Sequence, residues 1–263
     1  MSVASCQLPV VGRKDSMLEQ TFIHIPGVGP KTEQTLWNRG IHSWLDFLDC
    51  PEPFFSHAKD RLINEHLEAS LAHRQDIGFF DERLPAGEKW RLFDDFKDRV
   101  VYLDIETSGY DPWDSDITVI GLYDGTRVQT FVNGKNLDAF ETAVADYDLV
   151  VTFNGACFDL PFIKRSFPGI SLPEGHIDLR FVLKKLGYEG GLKKIEKDLG
   201  IARGDDIDGV DGFEAVRLWR KYQRGDKKAL KTLISYNNAD IINLEPLMEL
   251  AYDEMKSSVF DKC

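Results

Sequence analysis

The feature that most constrains this chain is a nearly continuous apolar run that carries two acidic side chains at its far end. The run covers residues 99–106 and ends in Asp104-Ile105-Glu106. Such a run is typical of a central strand that is covered on both faces. Residues i and i+2 of a strand point to the same face, so Asp104 and Glu106 are expected side by side.

Two adjacent carboxylates on a buried strand repel each other and lose their hydration, which predicts a compensating cation. Oxygen ligands suit Mg²⁺ or Mn²⁺. The alternative is that both acids lie at the exposed end of the strand and have no chemical role. The Asp-x-Glu pattern by itself leaves the two interpretations open.

Around this strand the sequence predicts an α/β layout. Ile117–Tyr123 and Arg127–Val132 flank Asp124-Gly125, a strong hairpin signal. A short strand is expected over 149–153, and a long helix over 227–255, interrupted or bent at Pro246. Further helices are expected over 137–147, 157–167, 191–199 and 213–224. This order of elements predicts a mixed central sheet flanked by helices, in a domain spanning residues 95–255.

The preceding part of the chain predicts a small all-α domain over residues 21–90, after a loosely ordered leader over residues 1–20. Pro26-Gly-Val-Gly-Pro30 breaks the chain between two amphipathic segments, and Pro30 suits the first turn of the second one. Apolar residues at helical spacing continue over 54–78. The boundary between the two domains is expected between residues 80 and 95.

Composition limits the compartment and the partners. No apolar run is long enough for a transmembrane helix, and the N-terminus lacks the apolar core of a secretory signal. The four cysteines are scattered and form no C-x-x-C pair, which favours a reducing cytoplasm. The net charge of −12 is unusual for a nucleic-acid binder. Two bound divalent cations would cancel about four of those charges, but the acidity argues against tight coating of duplex DNA.

Two later segments place further acids near predicted element ends. Asp159 follows a strand that ends at Asn154-Gly155, and it stands where a helix begins. Tyr236 and Asp240 are four residues apart and share one helix face beside an apolar stripe. Each has a simpler interpretation: Asp159 as a helix-start acid favoured by the macrodipole, and the Tyr-x-x-x-Asp spacing as a chance occurrence.

The three segments in this order resemble the DEDD exonuclease superfamily, in particular its tyrosine-containing branch. Asp-Ile-Glu-Thr107 and Asn154-Gly-x-x-Phe-Asp-x-Pro-Phe162 are similar to segments of the proofreading domain of B-family DNA polymerases. Residues 191–200 and 211–220 resemble further blocks of the YprB-like ribonuclease H-like proteins. The resemblance spans roughly residues 97–252.

The resemblance implies a ribonuclease H-like fold and a metal-dependent 3′→5′ exonuclease that releases nucleoside 5′-monophosphates from single-stranded nucleic acid, with DNA favoured over RNA. It implies two ions, Mg²⁺ or Mn²⁺, and a tyrosine, Tyr236, that orients the attacking water. The positions that correspond to contacts with the terminal nucleotides are Thr107, Asn154 and Phe158. The implied metal ligands are Asp104, Glu106, Asp159 and Asp240.

The turn at residues 25–31 resembles a helix-hairpin-helix motif. In that motif a glycine-rich turn brings backbone N–H groups against a DNA phosphate. Gly27 and Gly29 would form the turn, and Lys31 would add positive charge. A packing role without DNA is the alternative, and the acidic side chains nearby weaken the electrostatic case.

Other polar segments receive simpler interpretations. His176 is expected in a loop or at a strand end, with Asp178 as a supporting group. Residues 205–212 are expected to form a solvated acidic turn before a helix. Lys193, Lys194 and Lys197 would lie on one helix, either meeting phosphates or facing water.

Three other functions stay open at this stage: an RNA-processing exonuclease, a non-catalytic nucleic-acid-binding adaptor, and an endonuclease, which the tyrosine argues against. The oligomeric state stays open as well.

Overall fold

The computed structural model describes residues 16–109, 111, 114–203 and 212–260. Its sheet has five strands in the order β3-β2-β1-β4-β5. The first three strands form an antiparallel meander, whereas β4 is parallel to β1 and β5 is parallel to β4. The sheet is therefore mixed, as predicted. The strands are β1 (Val100–Thr107), β2 (Ile117–Tyr123), β3 (Val128–Val132), β4 (Leu149–Thr152) and β5 (Gly175–Asp178).

Helices precede the sheet and cover both of its faces, which confirms the predicted fold class with its helical N-terminal region. The N-terminal helices are α1 (Pro30–Asn38), α2 (Trp44–Leu48), α3 (His57–Ala72), α4 (Ile77–Asp81) and α5 (Phe93–Phe96). The remaining helices are α6 (Phe140–Val144), α7 (Asp159–Ser166), α8 (Leu179–Lys185), α9 (Leu192–Asp198), α10 (Gly212–Gln223) and α11 (Lys227–Phe260). None of the described helices combines the length and apolarity needed to cross a membrane.

The alternation of β1 separates two cores. Val101, Leu103 and Ile105 pack with Phe140 and Phe162 of the layer formed by α6 and α7. Tyr102 instead belongs to the core shared with α11 and the N-terminal helices. Asp104 and Glu106 follow Tyr102 at the two-residue period, so both point towards α11.

Helix α11 continues through Pro246, so of the two predicted alternatives the interruption is wrong. Proline removes one helical hydrogen bond, to the carbonyl four residues earlier. That residue, Ile242, is 40% exposed, so it lies on the solvent side of the helix. Leu244 and Leu247 are buried on either side of the proline, and their packing keeps the helix together.

The chain before Pro26 forms turns, so the first helix of the expected hairpin motif is absent from residues 17–25. Thr21, Phe22, Ile23, His24 and Ile25 are all buried, which no amphipathic helix allows. Side chains form hydrogen bonds to the backbone groups of this segment. Phe22 N–H donates to Glu33 Oε1 (2.7 Å), and the Trp44 indole donates to the Thr21 carbonyl (2.7 Å).

Further differences concern short elements. Met17 and Leu18 are buried, so the packed structure begins before residue 20, and the rest of the expected leader lies outside the described residues. The helix expected over 137–147 is a short 3₁₀ turn followed by α6. His176 lies within β5, a strand that the sequence did not predict. Nearly all of the expected acidic turn at 205–212 lies outside the described residues.

Candidate active site

Strand β1 and helix α11 bring together three carboxylates. Oxygen atoms of Asp104, Glu106 and Asp240 lie within 4.8 Å of one another. Glu106 and Asp240 are buried and Asp104 is half-buried. The i, i+2 geometry of β1 produces the pair, and the packing of α11 against β1 supplies the third acid.

Asp159, at the start of α7, contacts this site through a hydrogen bond between its side chain and the backbone of β1. Its Oδ1 accepts a hydrogen bond of 3.0 Å from the N–H of Ile105, the residue between Asp104 and Glu106. The parallel pairing of β1 with β4 ends at Tyr102, so β4 does not bind this N–H. Asp159 is 3% exposed and takes the place that a further strand residue would occupy.

A cavity of about 170 Å³ opens over the acids. The residues that the sequence predicted for the acidic site and the terminal nucleotides line it together, whereas Gly27, Gly29 and Lys31 do not. The cavity is lined by Asp104, Ile105, Glu106, Thr107, Phe153, Asn154, Phe158, Asp159, Gly212, Tyr236 and Asp240.

Burial and mutual repulsion make the negative charge at this site costly. Burial, followed by the charges of Asp240 and Asp159, raises the pKa values of Asp104 and Glu106 well above their ordinary range. Burial raises the pKa of Asp159 to about 7. It also raises the pKa of Asp240 to about 6, against the opposing charge of Arg203. A cluster of carboxylate oxygens that is short of positive charge fits a hard divalent cation such as Mg²⁺ or Mn²⁺.

Asn237 holds Asp104 in place, a contact that the sequence analysis did not identify. Its side-chain amide donates to Asp104 Oδ2 (2.9 Å) and to the Asp104 carbonyl (3.2 Å). Gly121 lies opposite Asp104 in the β1–β2 register. A Cβ atom at Gly121 would lie 2.2 Å from Asn237 Oδ1, so this strand needs glycine here. A glycine inside an apolar strand is a sequence signal for such close approach.

A buried ion-pair network supports Asp240. Arg203 Nη2 lies 2.5 Å from Asp240 Oδ1, and the same guanidinium binds both carboxylate oxygens of Glu196 at 2.6 and 2.8 Å. Asn243 donates to Glu196 Oε1 at 2.9 Å. Although burial alone would lower it, the pKa of Arg203 is raised by Glu196 and Asp240. No local sequence pattern indicates this role of Arg203, because its partners lie on other elements.

Tyr236 lies beside the acids, one helical turn before Asp240. Burial and the charge of Asp240 raise the pKa of its hydroxyl above the ordinary value of 10.0. A neutral phenol can orient a water molecule but is a poor base. The Lys193 ammonium lies 4.4 Å from the centre of the Tyr236 ring, at a cation–π distance. Lys193 is therefore close to the cavity, whereas Lys194 pairs with Asp198 on α9.

The turn at Asn154-Gly155 has an unusual backbone. Asn154 has a φ of 67°, the left-handed region that most residues avoid. Asp178 supports this turn by accepting hydrogen bonds from the N–H groups of Asn154 (2.7 Å) and Ala156 (3.1 Å). Asp178 is thus a supporting group, as expected.

His176 lies beside this turn, next to Thr152. Its Nε2 is 2.9 Å from Thr152 Oγ1, which also accepts the Gly155 N–H. Burial lowers the pKa of His176 to about 4, so the ring is neutral at pH 7.

Comparison with known proteins identifies the family. The sequence profile described as the RNase_H superfamily matches residues 101–252, more than half of the chain. The chain therefore belongs to the RNase_H superfamily, and its sheet and flanking helices have the ribonuclease H-like fold. No curated protein sequence matches the chain significantly.

Several solved structures resemble the fold at low identity. The family B DNA polymerase of Pyrobaculum calidifontis is 18% identical over 57% of this chain and 24% of its own chain, with a TM-score of 0.47. Brucella melitensis NrnC, solved with bound Mg²⁺, is 17% identical over 63% of this chain and 78% of its own, with a TM-score of 0.44. Escherichia coli RNase D, described as an exoribonuclease, is 15% identical over 66% of this chain and 48% of its own, with a TM-score of 0.40. The match thus spans about a quarter of the polymerase chain.

Proposed function

We propose that this protein is a metal-dependent 3′→5′ exonuclease acting on single-stranded nucleic acid. The observation that carries the proposal is the acidic cluster, in which carboxylate oxygens of Asp104, Glu106 and Asp240 lie within 4.8 Å of one another. Membership of the RNase_H superfamily supports a phosphodiester hydrolase with its acids at this position. A cluster with this much uncompensated negative charge is costly for a fold to keep unless it binds cations.

In this proposal Asp104, Glu106, Asp159 and Asp240 hold two Mg²⁺ or Mn²⁺ ions. Bound divalent ions would lower the pKa of water and stabilise charge on the attacking and leaving oxygens. Tyr236 orients the attacking water as a hydrogen-bonding group, because its raised pKa keeps it neutral. Asn237 and Gly121 keep Asp104 in register, and Glu196 and Arg203 fix the rotamer of Asp240.

Attack at a chain end is supported by the small volume of the cavity. Its volume of about 170 Å³ is below the usual range of about 300–1,000 Å³ for ligand pockets. A single chain end enters such a cavity more readily than a duplex. Thr107, Asn154 and Phe158 line it and are proposed to contact the 3′-terminal nucleotides. DNA is the favoured polymer in this proposal, with RNA processing as the alternative.

The direct test is digestion of 5′-labelled single-stranded DNA and RNA with Mg²⁺ or Mn²⁺. We expect a ladder that shortens from the 3′ end and is abolished by Asp104→Ala and by Asp240→Ala. Asp253→Ala, which removes an exposed acid from the same helix α11, is the matched control and should digest normally. Failure of the wild-type protein to cleave either polymer with either metal would contradict the proposal and favour a non-catalytic adaptor.

We also propose that the turn before α1 contacts nucleic acid as a helix-hairpin-helix-like unit, despite its missing first helix. Gly29 is the N-cap residue of α1 and makes no side-chain cap hydrogen bond. Cβ atoms at Gly27 and Gly29 would meet nothing within 4 Å, so a phosphate has room to approach. Lys31 lies two residues after Gly29, in the first turn of α1. If Gly29→Ala and Lys31→Gln leave duplex binding unchanged across salt concentrations, the unit has a packing role.

Two finer proposals concern relatives and compartment. Tyr236, next to the last acidic segment, supports placement in the tyrosine-containing branch of the DEDD superfamily, and residues 191–200 and 211–220 support placement in its YprB-like group. Residues 95–255 are proposed as the exonuclease domain and 21–90 as the N-terminal domain. The free thiols of Cys50 and Cys157 support a reducing compartment such as the cytoplasm.

A further inference from the structure

A second and larger cavity adjoins the acidic one. Its volume is about 700 Å³, and it shares Phe153 and Asn154 with the cavity over the acids. We call it the α8 groove. The groove is lined by Phe153, Asn154, Cys157, Arg180, Phe181, Lys184, Tyr188, Glu189, Gly190, Gly191 and Ile195.

The side chains of the α8 groove differ in character from those around the acids. Arg180 and Lys184 are exposed along α8, and Glu189 is the acidic residue among the lining positions. Phe181 is 37% exposed and lies between the two cations in sequence. Tyr188 is half-buried, and its hydroxyl donates to Glu254 Oε1 (3.3 Å). Cations interleaved with aromatic rings are the groups that bind the phosphates and bases of single-stranded nucleic acid. This basic, aromatic surface stands out in a chain with a net charge of −12.

The junction between the two cavities is rigidly built. Asn154, in its left-handed conformation, lines both of them. Asp178 is 4% exposed and binds the N–H groups of Asn154, Ala156 and Arg180, so it ties the turn to the first turn of α8. The Arg180 guanidinium donates to the Asn154 side-chain carbonyl. Strained backbone that is held by several contacts is typical of functional sites.

We infer that the α8 groove binds the 5′-ward part of the substrate strand, whose 3′ end lies in the acidic cavity. Arg180 and Lys184 bind backbone phosphates, and Phe181 and Tyr188 stack on bases. The substrate class is therefore a single-stranded oligonucleotide longer than a dinucleotide. This inference rests on the proposed exonuclease function and adds the length and strandedness of its substrate.

Binding can be measured separately from cleavage. The measurement is fluorescence anisotropy of 5′-labelled dinucleotides and octanucleotides, as DNA and as RNA, without divalent cations so that nothing is cleaved. The octanucleotide should bind at least about tenfold more tightly than the dinucleotide, since stacking contributes about 1–3 kcal/mol per base. Equal affinity for the two lengths, in both sugars, would overturn the inference.

Variants then locate the binding surface. Arg180→Gln with Lys184→Gln should weaken octanucleotide binding about five- to tenfold. Lys184→Gln alone keeps the Arg180 contact with Asn154, and it should weaken octanucleotide binding with less than about twofold effect on the dinucleotide. The slope of log affinity against log salt should also become shallower by about 0.7 for each phosphate that is no longer bound. Lys228→Gln with Lys231→Gln, which changes two exposed lysines on α11 outside both cavities, is the charge-matched control. Phe181→Ala should weaken octanucleotide binding about fivefold and Phe181→Tyr should restore it, which a general folding defect would not do.

Digestion separates the two proposals. If the wild type shortens strands and the double variant digests the octanucleotide as fast as the wild type does, the groove inference fails and the exonuclease stands. If no strand is cleaved but octanucleotide binding still depends on Arg180, Lys184 and Phe181, the groove stands and the exonuclease fails. Duplex DNA of the same length should show no effect of these variants; an equal weakening for duplex would also overturn the single-strand assignment.

Discussion

Two regions of this molecule differ in how their buried carboxylates are paired with cationic side chains. In the N-terminal region, Glu33 is 2% exposed and meets both Nη atoms of Arg91 at 3.2 and 2.9 Å. Arg91 also binds Glu88 at 2.9 Å, and Lys185 binds Glu88 from α8. At the site between β1 and α11, four carboxylates converge, and Arg203 pairs with one of them, Asp240.

The pKa values show the difference. Burial would raise the pKa of Glu88, but Arg91 and Lys185 lower it below its ordinary value. At Glu33 burial outweighs the opposing charge of Arg91, and the pKa is raised. At Asp104 and Glu106 burial and like charges act in the same direction, and the pKa values rise well above the ordinary range. A balanced buried network serves the fold, whereas an unbalanced one indicates a site that is completed by a cation from outside.

The largest expected effect on stability lies in the balanced network. Arg91→Met leaves Glu33 buried without its cation and should lower the free energy of unfolding by about 3–5 kcal/mol. Urea denaturation measures this. Arg61→Met removes an exposed pair with Glu65 and should cost less than about 1 kcal/mol. Similar changes for the two variants would mean that the Arg91 network is not what stabilises this region.

At the site between β1 and α11, removing a charged group should raise the free energy of unfolding rather than lower it. Glu106→Gln removes repulsion and should stabilise the metal-free protein at pH 7.5 by about 1–2 kcal/mol, in the range of common stabilising substitutions. Thermal or urea unfolding with a chelator present measures it. Destabilisation at pH 7.5 would mean that the cluster carries no net repulsion.

The pH dependence of that gain follows from the raised pKa values. Folded-state values of about 7 for Asp159 and about 6 for Asp240 exceed the unfolded value of 3.8. The folded protein therefore binds more protons between about pH 4 and 7, and its stability falls as pH rises through that window. The difference in the free energy of unfolding between Glu106→Gln and wild type should therefore shrink at pH 5. Added Mg²⁺ or Mn²⁺ should stabilise the wild type more than the variant.

A smaller effect, on nuclease activity, is expected when the contact between Gly121 and Asn237 that positions Asp104 is changed. Gly121→Ala places a Cβ against Asn237 Oδ1 and should reduce nuclease activity about 10- to 100-fold by displacing Asn237. If the effect passes through Asn237, the double variant with Asn237→Ala should be no slower than Asn237→Ala alone. Additive reductions would show that Gly121 acts on the site by another route.

The smallest effect belongs to the turn before α1. Lys31→Gln should weaken duplex binding about two- to threefold and reduce the salt slope by about 1. Glu33 lies nearby but is neutralised by Arg91, so its charge does not cancel that of Lys31. Binding titrations at several salt concentrations check this, and an unchanged salt slope would exclude a phosphate contact by Lys31.

The sequence by itself determined the relations that follow from the residue periods of a strand and of a helix. Two-residue alternation placed Asp104 and Glu106 on one face of β1, and four-residue spacing placed Tyr236 beside Asp240, because backbone geometry fixes these relations. The hairpin at Asp124-Gly125 followed from turn chemistry, and Gly125 has a φ of +85°. These local relations also carried the family resemblance.

Only the tertiary structure decided which groups face the acidic pair. Asp159 reaches Ile105, and Asn237 fits over Gly121, between elements far apart in sequence. Arg203 joins Glu196, seven residues before it, to Asp240 on α11. Such contacts depend on strand order and helix packing, which no local period encodes. The same holds for the N-terminal region, where the Arg91 guanidinium turns an acidic side chain on α1 into part of a balanced core. Whether a buried carboxylate stabilises the fold or keeps uncompensated charge that could bind a metal ion is set by the cationic side chain that packing brings to it.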